Sequence, residues 1–316
     1  MPLSVDMVEV VKADPDDDLA WLALADHLEE SGRVGPAELH RLSLALRRST
    51  AEPRGPAEAR LRHLLASGVR PVVPTEAVRL GTGVELKLAL IPPGSFLMGS
   101  PEREAGRAAG EGPVHRVTLS SGFYLGIHAV TQAQWRRMMG SAVNSFRGDD
   151  RPVDNVPWDE CQMFCTRLTN GTGRRFRLPT EAEWEYACRA GTTSPFHFGH
   201  SISIRQANYD GCYVYDRGRK GTYRQHTMSV GSFLPNAFGL YDMHGNVNEW
   251  CLDAYSDDYY RFSPEDDPRC YGGEGVIRVV RGGAWSDDPA RCRSASRSGC
   301  AVRRGTIGFR VVMEVE

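Results

Sequence analysis

Residues 276–312 read VIRVVRGGAWSDDPARCRSASRSGCAVRRGTIGFRVV, and this stretch decides the fold. It opens on a β-branched run, Val276–Val280, and turns at Gly282-Gly283 onto Trp285. It closes on Ile307-Gly308-Phe309-Arg310-Val311-Val312, which alternates as a strand does. Between the two predicted strands lies a polar loop of about twenty residues, longer than a compact domain needs for connection alone. Loops of this kind carry recognition or chemistry on a rigid scaffold, so candidate functional residues are sought there.

A chain of 316 residues can bury a sizeable core, in one large domain or in one large and one small. Its hydrophobic content of 41% and charged content of 25% are those of a soluble globular protein. A net charge of -2 supplies no global field toward nucleic acid or a membrane surface. The N-terminus, MPLSVDMVEVVKADPDDD, carries acids where an export signal needs a basic start and an apolar core. No run approaches the ~18 apolar residues of a membrane span. The expectation is a cytoplasmic protein with no membrane and no nucleic-acid partner. Its eight cysteines then read as reduced, mostly buried thiols. Cys161 and Cys165 face one way on a predicted helix, but no second Cys or His pair completes a zinc site.

Two textures divide the chain: a small all-α module over 1–70, a linker over 71–83, and a larger domain over 84–316. In the module, Asp18–Glu30 places Leu19, Leu22 and Leu28 on one helical face behind an acidic first turn. Gly32–Gly35 breaks it, Pro36 starts a second helix with Leu39, Leu42 and Leu46, and a third lies around Leu61–Leu65. The LALADHLEE core resembles the short repeat-companion domain of large bacterial proteins, which implies no chemistry. From Val84 short strands take over, with Val114–Leu119 and Phe123–Ile127 expected to pair. Thr131 caps a helix carrying Trp135 and Met138, and Trp158–Thr169 forms another. Thr180 with Glu183 makes a capping box, where Glu181, Glu183 and Glu185 stabilise the helix start and carry no catalysis. So much irregular chain needs metal ions or dense hydrogen bonding to hold its loops.

Several stretches together carry a family resemblance: Ile91-Pro-Pro-Gly-Ser-Phe-Leu-Met-Gly-Ser100, Val130-Thr131-Gln132 with Trp135, and Val156-Pro157-Trp158. They continue with Arg177-Leu-Pro-Thr-Glu-Ala-Glu-Trp-Glu-Tyr186, Gly239-Leu-Tyr-Asp-Met-His-Gly-Asn246 before Glu249-Trp250, Arg281-Gly282-Gly283, and Gly308-Phe309-Arg310. In this order they resemble the formylglycine-generating enzyme, or sulfatase-modifying factor, domain across residues 84–313. The resemblance implies an α+β variant of the C-type lectin fold with much irregular structure, supported by calcium. The oxidases of that family hold copper(I) between two cysteines, and soft thiolates select that ion. The two matching positions here are Asp287 and Cys292. Ala284 stands where the family has serine, and Asn248 where it has an aromatic residue. Copper is therefore not expected, and no residue is assigned to catalysis. Cys292 would be the copper ligand or reactive thiol if the chain were an oxidase, with Cys300 the thiol to pair with it. The related sulfoxide synthases add an iron-binding helical bundle, for which His27, His40 and His63 on a short module do not suffice. They read as solvated helix histidines.

A third, non-catalytic branch that the chain resembles comprises the variable proteins of diversity-generating retroelements, which display a hypervariable loop before a closing GFRVV-like strand. Ser286, Asp287, Asp288, Arg291, Ser296, Ser298, Gly299, Cys300, Arg303, Arg304, Gly305 and Thr306 fit variable positions, and Arg293, Ser294, Ala295 and Arg297 the framework. With Trp285, the residues Ser286, Asp287, Asp288, Arg291, Ser296, Ser298, Cys300, Arg303 and Arg304 are the ligand-binding candidates. Arg291, Arg293, Arg297, Arg303 and Arg304 suit acidic or peptide ligands, unless Arg293 and Arg297 form internal ion pairs. The resemblance also places calcium at Asp242, Gly245, Val247 and Glu249, two carboxylates and two backbone carbonyls around a hard cation. A second calcium would use Asn208 and Tyr209 near Asp210, although its downstream acid is not evident. The reading is a non-catalytic module that binds a protein or peptide through the 285–306 loop. The alternative is a copper-dependent oxidase of a peptide cysteine using Cys292. The sequence does not set the oligomeric state.

Overall fold

The computed structural model describes residues 5–48, 54–141, 144–273 and 275–315. Four helices open the chain: α1 Val5–Ala13, α2 Asp18–Glu30, α3 Val34–Arg48 and α4 Gly55–Ala66. The sequence reading had three, and α1 is new. Asp17 caps α2 by accepting the Leu19 N–H at 2.8 Å. The buried face of α2 is Ala20, Trp21, Leu24, Ala25 and Leu28, whereas Leu19 is 74% and Leu22 37% exposed. The face is thus rotated from the expected one. Trp21 sets the rotation: its indole N–H donates to the Pro15 carbonyl and the Arg47 guanidinium covers its ring. His40 is not solvated either; its ring is bonded to the Val72 carbonyl.

The expected linker over 71–83 is corrected by a strand. β1 Thr75–Gly81 pairs antiparallel with β2 Val84–Ile91 around the turn Thr82-Gly83, where Gly83 has φ +72°. Trp21, Leu24 and Leu28 of α2 share one core cluster with Leu86, Leu88 and Leu90 of β2. The helices are therefore packed onto the first sheet. Glu58 of α4 makes a second contact with the larger domain by accepting the N–H of Thr193, a few residues past Arg189, at 3.1 Å.

β3 Gly94–Met98 and β4 His115–Leu119 form a two-stranded sheet, and β5 Phe123–Gly126 lies between β2 and the last strand. The expected pairing of 114–119 with 123–127 does not occur. All four residues of β5 are buried, so it takes a central position with a partner on each edge. The helices α5 Gln132–Met139, α6 Trp158–Thr172 and α7 Glu181–Arg189 follow, with β6 Phe176–Arg177 between the last two. Thr131 with Gln134, and Thr180 with Glu183, close reciprocal capping boxes. Trp135 and Phe164 stack at 5.9 Å, with Phe309 edge-on to both.

β7 Asn248–Ala254 leads into the deciding stretch, which holds β8 Arg278–Arg281, β9 Arg297–Cys300, β10 Ile307–Gly308 and β11 Val312–Glu314. The sheets run β1-β2-β5-β11-β6 and β10-β7-β8-β9. The expected single closing strand is two strands in different sheets, and Ile307–Val312 are all buried instead of alternating. Arg310 causes the break. It turns inward onto Glu249, and the chain crosses between sheets there. The loop before it is no bare connection, since it contains a 3-10 turn at Pro289–Cys292 and β9.

Buried ion pairs hold these irregular segments. Arg281 meets Glu185, Arg293 meets Glu104 and Glu111, Arg297 meets Glu181, and Arg189 meets Glu185. A buried charge is tolerated only when paired, so Arg281, Arg293 and Arg297 each tie the C-terminal stretch to α7 or to the segment before β4, while Arg189 pairs within α7. No helix among the described residues is long and apolar enough to cross a membrane.

Candidate functional site

The site is built on the turn that follows β8. Gly282 and Gly283 have φ +95° and +70°, and a Cβ on Gly283 would meet the Cys292 sulfur at 2.6 Å. The turn delivers the Ala284 N–H to Asp287 Oδ2 at 2.9 Å. The Asn248 side-chain amide, from the start of β7, donates to the same oxygen at 3.0 Å. Asp288 then caps the 3-10 turn by accepting the Ala290 N–H at 2.8 Å.

Cys292 is fully buried among Phe196, Tyr209 and Tyr215. Burial, and then the charges of Asp287 and Asp288, push its thiol well above the usual cysteine range. Cys300 is buried in a different core cluster and lies 3.0 Å from the Val302 carbonyl. The two sulfurs belong to different clusters and do not form the pair considered from the sequence, and Cys300, 5% exposed, lies at the floor of the loop's cleft. A single buried thiol and a hydrogen-bonded carboxylate are not the pair of soft thiolates that copper(I) selects. Among the described residues, no group of three or more His, Cys, Asp and Glu side chains is placed to hold a metal ion.

Burial sorts the loop into two sets. Arg293, Ser294, Ala295 and Arg297 are each at most 5% exposed. Ser286, Asp287, Asp288, Ser296, Ser298, Gly305 and Thr306 are half-buried, and Arg291, Gly299, Arg303 and Arg304 are exposed. The five-arginine face is corrected to three, because Arg293 and Arg297 are locked in internal ion pairs. The outward set surrounds a cleft of about 100 Å³ lined by Asp287, Arg291, Ser296, Ser298, Arg304 and Thr306. Trp285 stands beside it, with Phe146 edge-on at 5.4 Å and Tyr223 stacked at 6.0 Å. Those two aromatic partners were missed from the sequence, where they lie far from Trp285 in polar loops. The His197–His244 pair was also missed; His244 donates Nδ1–H to the Cys292 carbonyl at 2.7 Å and holds that turn from behind.

The first calcium set fits a cation in part. Asp242, Gly245 and Asn246 have φ +57°, +90° and +70°, so the chain curls tightly and includes the Gly245 and Val247 carbonyls. Asp242 accepts the Gly231 N–H at 2.7 Å through Oδ2, while its Oδ1 is buried without a partner. Burial pushes that carboxyl up to about 6. Glu249 is differently placed. Arg310 donates to both its oxygens, at 2.6 and 2.7 Å, and the Trp184 indole N–H adds a third bond at 2.7 Å. Asp242 has an oxygen to offer a cation, and Glu249 offers one only by releasing Arg310.

The second set fits a cation less well. Asn208 directs its amide N–H groups to the His226 carbonyl and Asn246, leaving Oδ1 buried and unpartnered. Tyr209 is buried with its hydroxyl on the Ile202 carbonyl. Asn208 thus has an amide oxygen to offer a cation, and the Tyr209 hydroxyl is already engaged.

The sequence pattern of the sulfatase-modifying factor enzyme 1-like domain matches residues 82–315. The serine/threonine-protein kinase pkn1 of Chlamydia pneumoniae is 31% identical over 259 residues, covering 72% of this chain and 38% of that protein. This chain thus spans less than two-fifths of that relative's length. The formylglycine-generating enzyme of Streptomyces coelicolor is 30% identical over 256 residues, covering 77% of this chain and 71% of the enzyme. The solved structure of Treponema denticola variable protein 1 superposes with a TM-score of 0.62 at 25% identity, covering 76% of this chain and 99% of that one.

Proposed function

The chain belongs to the sulfatase-modifying factor enzyme 1-like domain family, and on that scaffold we propose a non-catalytic module that binds a protein or peptide through residues 285–306. The observation that carries this reading is the Asp287 carboxylate. It stands in a thiolate's place and is engaged by Asn248 and Ala284, opposite a thiol buried in the core. Around that closed centre the loop presents hydroxyls and guanidinium groups to solvent, which suits recognition rather than redox chemistry. The likeness to a variable protein supports a binding role, and the eight unpaired cysteines accord with a cytoplasmic setting. Diversification of the loop is a finer form of the reading, supported by the division between buried framework and outward residues. A near-copy of the gene's 3′ end differing only at adenines, beside a reverse transcriptase gene, would establish it.

The competing reading, a copper-dependent oxidase of a peptide cysteine, draws on the formylglycine-generating relative and on Cys292. Two measurements separate them. A displayed random-peptide library should be enriched by the wild-type protein and not by the Arg291→Glu/Arg303→Glu/Arg304→Glu variant. A Cu(I) titration with a sulfatase-type cysteine peptide under oxygen should show no tight copper and no aldehyde. Stoichiometric copper with turnover would overturn the proposal.

A further inference from the structure

β9 is an edge of the four-stranded sheet. It pairs with β8 from Arg278↔Cys300 to Arg281↔Arg297, and no described strand lies on its other side. Apart from that ladder, no backbone bond among the described residues reaches 297–300. Proteins usually shield such an edge with proline, an inward charge or a covering segment, because it templates pairing with another chain. Here Arg297 is the inward charge, at the first residue of β9, while Ser298 is half-buried and Gly299 exposed, and both border the cleft beside Asp287. Arg303 and Arg304 lie just past the end of β9 and are exposed. Arg291, also exposed, reaches Asp288 only at 4.0 Å. Arg291 and Arg304 line the cleft that Ser298 and Gly299 border, and Arg303 follows the strand in sequence.

We propose that an extended acidic segment of a partner protein adds to β9 as a fifth strand, with its carboxylates on Arg291, Arg303 and Arg304. The inference rests on the binding reading above and names its mode. Main-chain bonds to an edge supply affinity whatever the side chains, and the alternate residues of the added strand set specificity. Guanidinium groups on one side of that strand select carboxylates, through charge-assisted and bidentate hydrogen bonds.

The test uses the full chain at low salt with fluorescein-labelled Glu-Val-Glu-Val-Glu-Val and its Lys-Val counterpart. Two N-methylated forms of the acidic peptide carry methyls on odd or on even residues, so that each blocks one edge. The acidic peptide should bind at least tenfold more tightly than the lysine peptide. One N-methylated form should lose at least tenfold and the other little. Amide exchange at Ser298–Cys300 should slow on binding, and Arg303→Glu/Arg304→Glu should invert the charge preference. Equal affinity of both N-methylated forms, or of the lysine peptide, would overturn strand addition. If a random library still enriches loop-dependent peptides, the mode falls and the binding module stands. If neither library nor probes bind, both fall.

Discussion

Asn248 donates its side-chain amide to Asp287 Oδ2 at 3.0 Å, and the Ala284 N–H reaches the same oxygen at 2.9 Å. The start of β7 and the turn after β8 are thereby held together at one carboxylate oxygen.

Removing the shared acceptor leaves two donors without a partner. Asp287→Ala should destabilise the fold by roughly 1–3 kcal/mol, and Asn248→Ala by less. A double-mutant cycle in urea should give a coupling energy of about 0.5 kcal/mol or more. Additive effects would show that the two side chains are neighbours without being partners.

The burial of Cys292 makes a prediction about reactivity. Iodoacetamide at mildly alkaline pH should label the exposed Cys212 of the native protein, while Cys292 reacts only after unfolding. Peptide mass spectrometry reads both sites in one sample. Rapid native labelling of Cys292 would favour the oxidase.

Asp253 supplies a pH dependence. Burial first, and then the charge of Glu181, push its carboxyl up to about 7 from 3.8, against the Cys270 and Glu181 N–H groups that favour the ionised form. A folded-state pKa above the unfolded one means that the folded protein binds the extra proton. The contribution is fully present below about pH 4 and is lost as pH rises through 7. Asp253→Asn cannot ionise, so its stability relative to wild type should rise across that window by up to a few kcal/mol and then level off. A constant difference between the two proteins from pH 4 to 8 would show that Asp253 titrates normally.

Calcium at the Asp242 turn is a proposal that rests on the buried, unpartnered Oδ1. Protein stripped with chelator should melt at a lower temperature and recover with calcium. Asp242→Ala should not respond. An unchanged melting curve of metal-loaded wild type in excess chelator would exclude the site, leaving Arg310 as the positive partner of Glu249 among the described residues.

The caps at Thr131 and Thr180 were legible because a capping box is a local pattern three residues long. The rotation of α2 was not, since Leu19 and Leu22 look more apolar than Ala20 and Ala25 until Trp21 finds its seat on Pro15 and Arg47. The linker was misread for a related reason: β1 has the composition of a surface segment, and only pairing with β2 makes it a strand.

By itself the sequence determined the family, from ordered motifs spread over most of the chain. Motif order and residue identity survive without coordinates. Only the tertiary structure decided which charges are available. The sequence left open whether Arg293 and Arg297 face a ligand or form internal ion pairs, and read Glu249 as a ligand group; each is buried against a partner at least 61 positions away. A charged side chain's role depends on whether folding brings it a counter-charge out of water, and that is set by long-range contacts no local pattern records.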